Sequence, residues 1–148
     1  MAEPVEVAIQ KALTDRLILL AGGASSPALA ALPLALPEID FTTPEARNGA
    51  AWLKADFMPA PTIPLALSDT DADQYQGIFQ VSVFHVRGQG EYRPARIASA
   101  VIEWFQRGTV VAQDGFQARV FRRPWRGGLI IDGAWAMIPV SVPYQAFV

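Results

Sequence analysis

No cysteine occurs among the 148 residues, which excludes a disulfide framework, a thiolate nucleophile and any sulfur-ligated metal site. Folding in a reducing compartment is therefore permitted. There is one histidine, His85, and a lone imidazole makes no metal centre without carboxylate partners, nor does a Ser-His-Asp order accompany it. Charge is also scarce: 18% of residues are charged and the formal net charge is -2. That balance gives no general drive toward nucleic acid or acidic membranes, so electrostatic recognition has to be local. The start, Met1-Ala2-Glu3-Pro4, lacks the basic beginning of a secretory signal. The long uncharged run from Leu17 to Pro37 is broken by Gly22, Gly23, Ser25, Ser26, Pro27 and Pro33. Such breakers leave backbone groups unsatisfied in lipid, so no membrane span is expected. There is no Walker-type GK[ST], no internal repeat and no low-complexity tail.

What is present suits one domain over residues 1–148. A chain of this length buries roughly two thirds of its unfolded surface, enough for a hydrophobic core. Half of the residues are apolar (51%), a composition that leans toward extra burial such as a subunit interface.

The hydrophobic pattern predicts an α+β fold, a mostly antiparallel sheet packed by two helices in the order α-β-β-β-α-β-β-β. Val5, Ile9, Leu13, Leu17 and Leu20 recur at helical spacing with Glu6, Gln10, Lys11 and Asp15 mostly on the other side; Gly22-Gly23 ends that helix. Leu29, Leu32, Leu34 and Leu36 suggest one buried face of a short, Pro-interrupted strand over 28–36. Residues 51–58 read as a strand with Leu53 and Phe57 on one face. A long loop is expected between Pro59 and Asp73. The clearest strand is 74–86, where Tyr75, Phe79, Val81 and Val83 alternate with Gln76, Gln80 and Ser82.

Pro94 fits the first turn of a second helix with Ile97, Val101, Trp104 and Phe105 as its apolar stripe, closed by Gly108. Strands follow at 109–113, 116–122 and 129–144, the last divisible at the turn pair Asp132-Gly133. Ile138, Val140 and Val142 point one way, and Pro139, Ser141 and Pro143 the other. Prolines on that outer phase predict a sheet edge or a bulged strand.

Several constellations resemble chemical sites. Asp69, Asp71 and Asp73 occupy positions one, three and five of an EF-hand-like loop, but Gln74 replaces the required Gly and Gln80 the closing Glu, so the segment reads as a solvated acidic loop. Gly88-Gln89-Gly90 lies between a strand and a helix, the context of a phosphate loop, yet Arg93 stands where the third glycine belongs; a connecting turn is the plainer reading. His85 reads as a hydrogen-bonded strand-end residue. Asp56, Glu91, Glu103 and Asp114 fall on different elements and spacing brings no two of them together. No catalytic residue, cofactor or metal is expected.

Arg119, Arg122, Arg123 and Arg126, interleaved with Phe121 and Trp125, form the strongest charged cluster. Three readings stand: a subunit or partner contact, the solvated tip of a hairpin, and a nucleic-acid contact. Aromatic and Arg enrichment favours the first and the overall charge disfavours the last. Trp135 sits on the opposite phase from Ile138 and Val140, so it is expected to be exposed in the monomer and covered in an oligomer.

With these landmarks in place the chain resembles the phage tail terminator proteins, in particular a small family similar to the lambda-type terminator. The resemblance rests on the N-terminal helix, Phe41-Thr42-Thr43-Pro44, the run Tyr75 to Val83, Gly88-Gln89-Gly90, Phe105-Gln106-Arg107-Gly108-Thr109, Gly133-Ala134-Trp135 and the run Ile138 to Tyr144. It covers nearly the whole chain but contains no catalytic residue. The Ala- and Leu-rich segment 28–36 and the loop Pro59 to Pro64 depart from it.

The resemblance implies a structural protein of a phage or prophage that caps the tail tube as a homohexameric ring, ends tube growth and offers a surface for head joining. The implied partners are further copies of itself, the tail tube protein and a head-completion or connector protein, with DNA reached only through a ring lumen. The implied location is the host cytoplasm during assembly and then the virion tail. The exposed sheet edge and Arg119, Phe121, Arg122, Arg123, Trp125, Arg126 and Trp135 are the expected contact residues. The loop carrying Pro61, Pro64, Asp69, Asp71 and Asp73 is expected to reach a tail or head partner. A head–tail connector or minor tail protein is the alternative, and a small ligand-binding domain or hydrolase a more distant one.

Overall fold

The computed structural model describes residues 4–23, 31–64 and 73–147. Its first element is helix α1, Val5–Ala21, whose Ala8, Ile9, Ala12, Leu13, Leu17 and Leu20 are buried at the expected spacing. Pro4 precedes it in an extended conformation and its carbonyl accepts the first helical bond from Ala8 N at 3.0 Å. At the other end Gly22 stays right-handed, and Gly23 takes the left-handed turn with φ 80°. A side chain there would be strained, which is why glycine ends this helix.

The sheet is built on two long strands. Strand β4, Asp73–Val86, and strand β9, Trp135–Phe147, pair antiparallel over their whole length, from Gln74 opposite Phe147 to Val86 opposite Trp135. On the far side of β4 runs β2, Ala51–Pro59, flanked by the two-residue parallel strand β1, Leu34–Ala35. Strand β3, Ile63–Pro64, continues the course of β2 along β4. Four steps from Pro59 to Ile63 face three from Gly77 to Gln74, so the chain carries one bulged residue between β2 and β3. The loop expected between Pro59 and Asp73 is thus strand at Ile63–Pro64; residues 65–72 lie outside the described residues. The Leu-rich strand of 28–36 shortens to β1; residues 28–30 lie outside the described residues.

Helix α2, Tyr92–Trp104, follows β4. Pro94 lies in its first turn, and Val101 and Phe105 are fully buried as expected. Ala98 and Ile102 complete the buried stripe, while Ile97 and Trp104 are only half-buried. After α2 come β5, Val110–Gln113, and β6, Phe116–Val120, then the short β7, Trp125–Arg126, and β8, Ile130–Asp132, which turns at Gly133 into β9. The sheet order is β1-β2-β4-β9-β6-β5, with β3 on β4 and β7 and β8 on β9.

Strand β9 is central, which corrects the edge expected from its prolines. On one side it has the unbroken β4; on the other it meets β8 at Trp135–Met137, β7 at Val140–Ser141 and β6 at Tyr144–Gln145. Pro139 and Pro143 fall between those three partners. Gly127 N donates to Pro139 O at 2.8 Å, so the missing N–H of Pro139 points to this interrupted side; Pro143, four residues on, has the same backbone phase. The neighbours break where donors are absent.

Both helices cover one face of the sheet, α1 over β5, β6 and β2, and α2 over β9, β4 and β7. The main core lies there: Leu53, Phe79, Val81, Val83, Ile138, Val140, Val142 and Tyr144 from the sheet against Leu13, Leu17, Val101 and Phe105 from the helices. The opposite face carries a second, smaller cluster. Trp52 stacks on Phe84 with ring centroids 3.9 Å apart, meets Trp135 edge-on at 6.0 Å and Phe41 at 5.2 Å.

Candidate assembly surfaces

Pairing with Gln145 sets Arg119 on the helix-free face of β6, where it borders a cleft of about 360 Å³ with Val110, Gln117 and Phe147. The chain then leaves the sheet. Arg122 places its guanidinium 5.6 Å from the centre of the Phe121 ring, and Arg123 reaches back to Glu103 of α2 at 3.1 Å. Both partners of that ion pair are about two-thirds exposed (65% and 64%), so it fixes direction more than it stabilises. Trp125 and Arg126 follow on β7, both exposed.

The cluster is not a hairpin tip. The tip of the β5–β6 hairpin is Asp114-Gly115, where both residues have positive φ (51° and 83°). The arginines lie at the other end of β6 and along the crossing to β7. Trp135 leaves the group altogether: with 9% of its surface exposed it belongs to the cluster of Trp52, Phe84 and Ala35. Its phase was read correctly, but residues 36–50 fold Phe41 and Ala50 over that face, so the indole is covered within the monomer.

The described ends of the proline–aspartate segment lie on the other border of the sheet. Pro61 and Pro64 are exposed, Asp73 opens β4 opposite Pro64, and Asp69 and Asp71 fall outside the described residues. The strands β4 and β9 separate this border from the arginines. The structure therefore does not bring the two groups together; it sets them at opposite sides.

Sequence reasoning missed four apolar residues on these borders. Ile130 and Ile131 of β8 are 48% and 51% exposed, Met58 of β2 43% and Ile63 of β3 40%, beside Trp125 at 43%. A signal was present in Ile130-Ile131: adjacent strand residues point to opposite faces, so two consecutive isoleucines before a turn cannot both enter one core.

Other candidates resolve into structural roles. His85 is 4% exposed and its Nδ1 lies 2.9 Å from Val86 O at the strand end. The Gly88 and Gly90 backbones are left-handed (φ 87° and 89°), and Gln89 between them binds Asn48 Oδ1 through Nε2 at 2.8 Å and accepts from Gly49 N at 3.0 Å. That pins the turn to the loop before β2. Among the described residues no group of three or more His, Asp and Glu is placed to hold a metal. No helix among them is long and apolar enough to cross a membrane.

The sequence pattern of the phage tail terminator protein family matches residues 8–144. A solved structure carrying no functional description is 29% identical, covering 93% of this chain and 92% of that one, with a TM-score of 0.73. A protein from the virion of a native gene transfer agent particle shares the fold at 17% identity and TM-score 0.53, covering 99% of this chain and 98% of its own. No curated protein matches the chain.

Proposed function

This chain belongs to the phage tail terminator family, and from that membership we propose that it closes the end of a phage or prophage tail tube as a homohexameric ring, stopping growth and presenting a surface for head joining. Membership makes it a structural protein of a phage tail. The ring, its partners and assembly in the host cytoplasm are our reading, as is the treatment of residues 1–148 as one domain. The gene transfer agent protein of the same fold comes from a virion particle, which supports a place in such an assembly. No catalytic step is part of this reading.

The observation that carries the ring is the exposed border of Trp125, Ile130 and Ile131 beside Arg122 and Arg126. Apolar surface of this kind, with Trp and Arg together, is typical of contacts that become covered. A ring needs a heterologous contact that closes. The segment of Pro61, Pro64, Asp69, Asp71 and Asp73 is then free to reach the tube protein or a head-completion protein.

Electron microscopy with light scattering tests this. The expected result is a ring with a central opening, alone or on tube ends. A strictly monomeric species that also leaves tail tubes uncapped overturns it, and copurification with portal complexes in place of tube ends assigns the protein to a head–tail connector.

A further inference from the structure

We infer that the contact between copies joins the two opposite borders of the sheet, with Trp125 and Arg126 of one copy seated against Asp56 and Met58 of the next. The inference rests on the ring reading and names its interface.

Three observations lead to it. First, exposed large apolar side chains mark both lateral borders: Trp125, Ile130 and Ile131 beyond β9, Met58 and Ile63 beyond β4. Among the described residues no further strand pairs with either border at these positions. Strand β1 closes β2 only at Leu53 and Lys54, so the open part begins at Ala55.

Second, the borders differ in charge. Arg122 and Arg126 stand on the β7 side, with Arg123 already held by Glu103. The β2–β3 side has Asp56 on β2 and Asp73 at the start of β4. The opposing charges lie away from the proposed contact: Lys54 sits at the stretch of β2 that β1 covers, and Asp132 at the β8 turn. A two-fold contact would set each border against itself and bring like charges together. Joining unlike borders pairs them, and repeated unlike contacts are what a ring requires.

Third, the rows of the sheet align the two sets. Register runs Asp56–Gln80–Ser141–Trp125 straight across the helix-free face, with Ala55–Val81–Val140–Arg126 beside it. The first row thus ends in a carboxylate at one border and an indole at the other; Arg126, one residue on, ends the row of the opposite face and reaches a carboxylate of the next copy around the sheet edge. Pro59, Pro61 and Pro64 have no N–H to donate, so a backbone ladder continued along this border past Phe57 lacks donors. Side chains make the contact: an indole on a methionine thioether and proline, and a guanidinium on a carboxylate.

The cysteine-free sequence allows a direct test on the full chain. Trp125→Cys and Met58→Cys are introduced singly and together, folding is checked by circular dichroism, and a short bis-maleimide is added. At protein concentrations raised above the parent's to offset the lost indole, the double variant is expected to give a ladder of covalent species ending at the ring's subunit number, and each single variant to run as a monomer. In parallel, Arg126→Asp and Asp56→Arg are each expected to raise the concentration needed for assembly at least tenfold, and the two together to restore it. Rings that form without a ladder and without charge-swap rescue overturn this contact while leaving the ring. A covalent dimer from Trp125→Cys alone overturns it in favour of a self-paired border. A monomer at every concentration, with or without tail tubes, overturns both.

Discussion

Arg16 of α1 and Trp104 of α2 satisfy one another's backbone. The Arg16 guanidinium donates from Nε and Nη2 to Trp104 O at 3.1 and 2.7 Å, and the Trp104 indole returns a hydrogen bond from Nε1 to Arg16 O at 2.8 Å. The guanidinium also lies 4.3 Å from the centre of the Trp104 ring. Trp104 ends α2, where carbonyls lack helical partners and carry partial negative charge, so a cation there caps the helix. Burial lowers the Arg16 pKa from its ordinary value, and the ring face and carbonyl compensate for the lost water.

Replacing Arg16 by Ala should therefore destabilise by about 1–3 kcal/mol, the cost of leaving a partly buried carbonyl and an ordered indole without their partners. Arg16→Lys should recover little, because one ammonium cannot reproduce the planar fork and its stacking. Urea unfolding measures both. Equal stability of the Lys variant and the parent would refute the stacked, two-bond geometry.

Gly77 has no positive φ, yet a side chain there meets its neighbours too closely. A Cβ there would lie 2.6 Å from Met58 O, 2.6 Å from the Tyr144 hydroxyl oxygen and 2.8 Å from Pro59 Cα. Two of those atoms are backbone of the neighbouring strand and cannot swing aside. Gly77→Ala should cost about 1–3 kcal/mol or more by overpacking and loosen the β2–β4 ladder near Pro59. Hydrogen exchange at Ala60, whose N–H bonds Gln76 O, locates the effect; unchanged protection there argues against it.

Tyr144 is buried with its ring stacked on Phe57 at 5.4 Å. Burial, and secondarily the Glu6 carboxylate, hold its pKa well above the ordinary value of 10.0. The unfolded chain then releases this proton first as pH rises. Stability is full below about pH 10 and falls above it, by up to about 1.4 kcal/mol per pH unit until the folded-state tyrosine ionises. Tyr144→Phe should shallow the alkaline fall, with Tyr75 and Tyr92 still present in both proteins. Unfolding midpoints compared across that range decide it, and parallel curves would show that Tyr144 is not the group responsible.

The features legible in the sequence were those governed by local period. The alternation of Phe79, Val81 and Val83 placed the core face of β4, and the spacing of Ile9, Leu13 and Leu17 placed α1. Pairings set by distant chain were not legible. Pro139 and Pro143 reveal missing donors, but only the neighbouring strands show that the gap between β8, β7 and β6 absorbs them. Arg16 and Trp104 are 88 residues apart, and no periodicity links them. For the assembly surface, composition singled out the arginines and Trp125. It could not tell which tryptophan the loop before β2 would cover.

That distinction yields the sharpest contrast between two residues once grouped together. Trp135 lies edge-on to Trp52 in a buried cluster, so Trp135→Ala should cost about 3–5 kcal/mol of folding stability through the cavity it leaves. Trp125 is 43% exposed on β7, and its removal should change monomer stability by less than about 0.5 kcal/mol. Assembly should respond in the reverse sense, with Trp125→Ala abolishing rings at concentrations where the parent forms them, as expected of an aromatic anchor. Thermal unfolding and light scattering on the same samples separate the two effects. A Trp125→Ala protein that still forms rings at parental concentrations would remove this tryptophan from the contact, whatever its effect on folding.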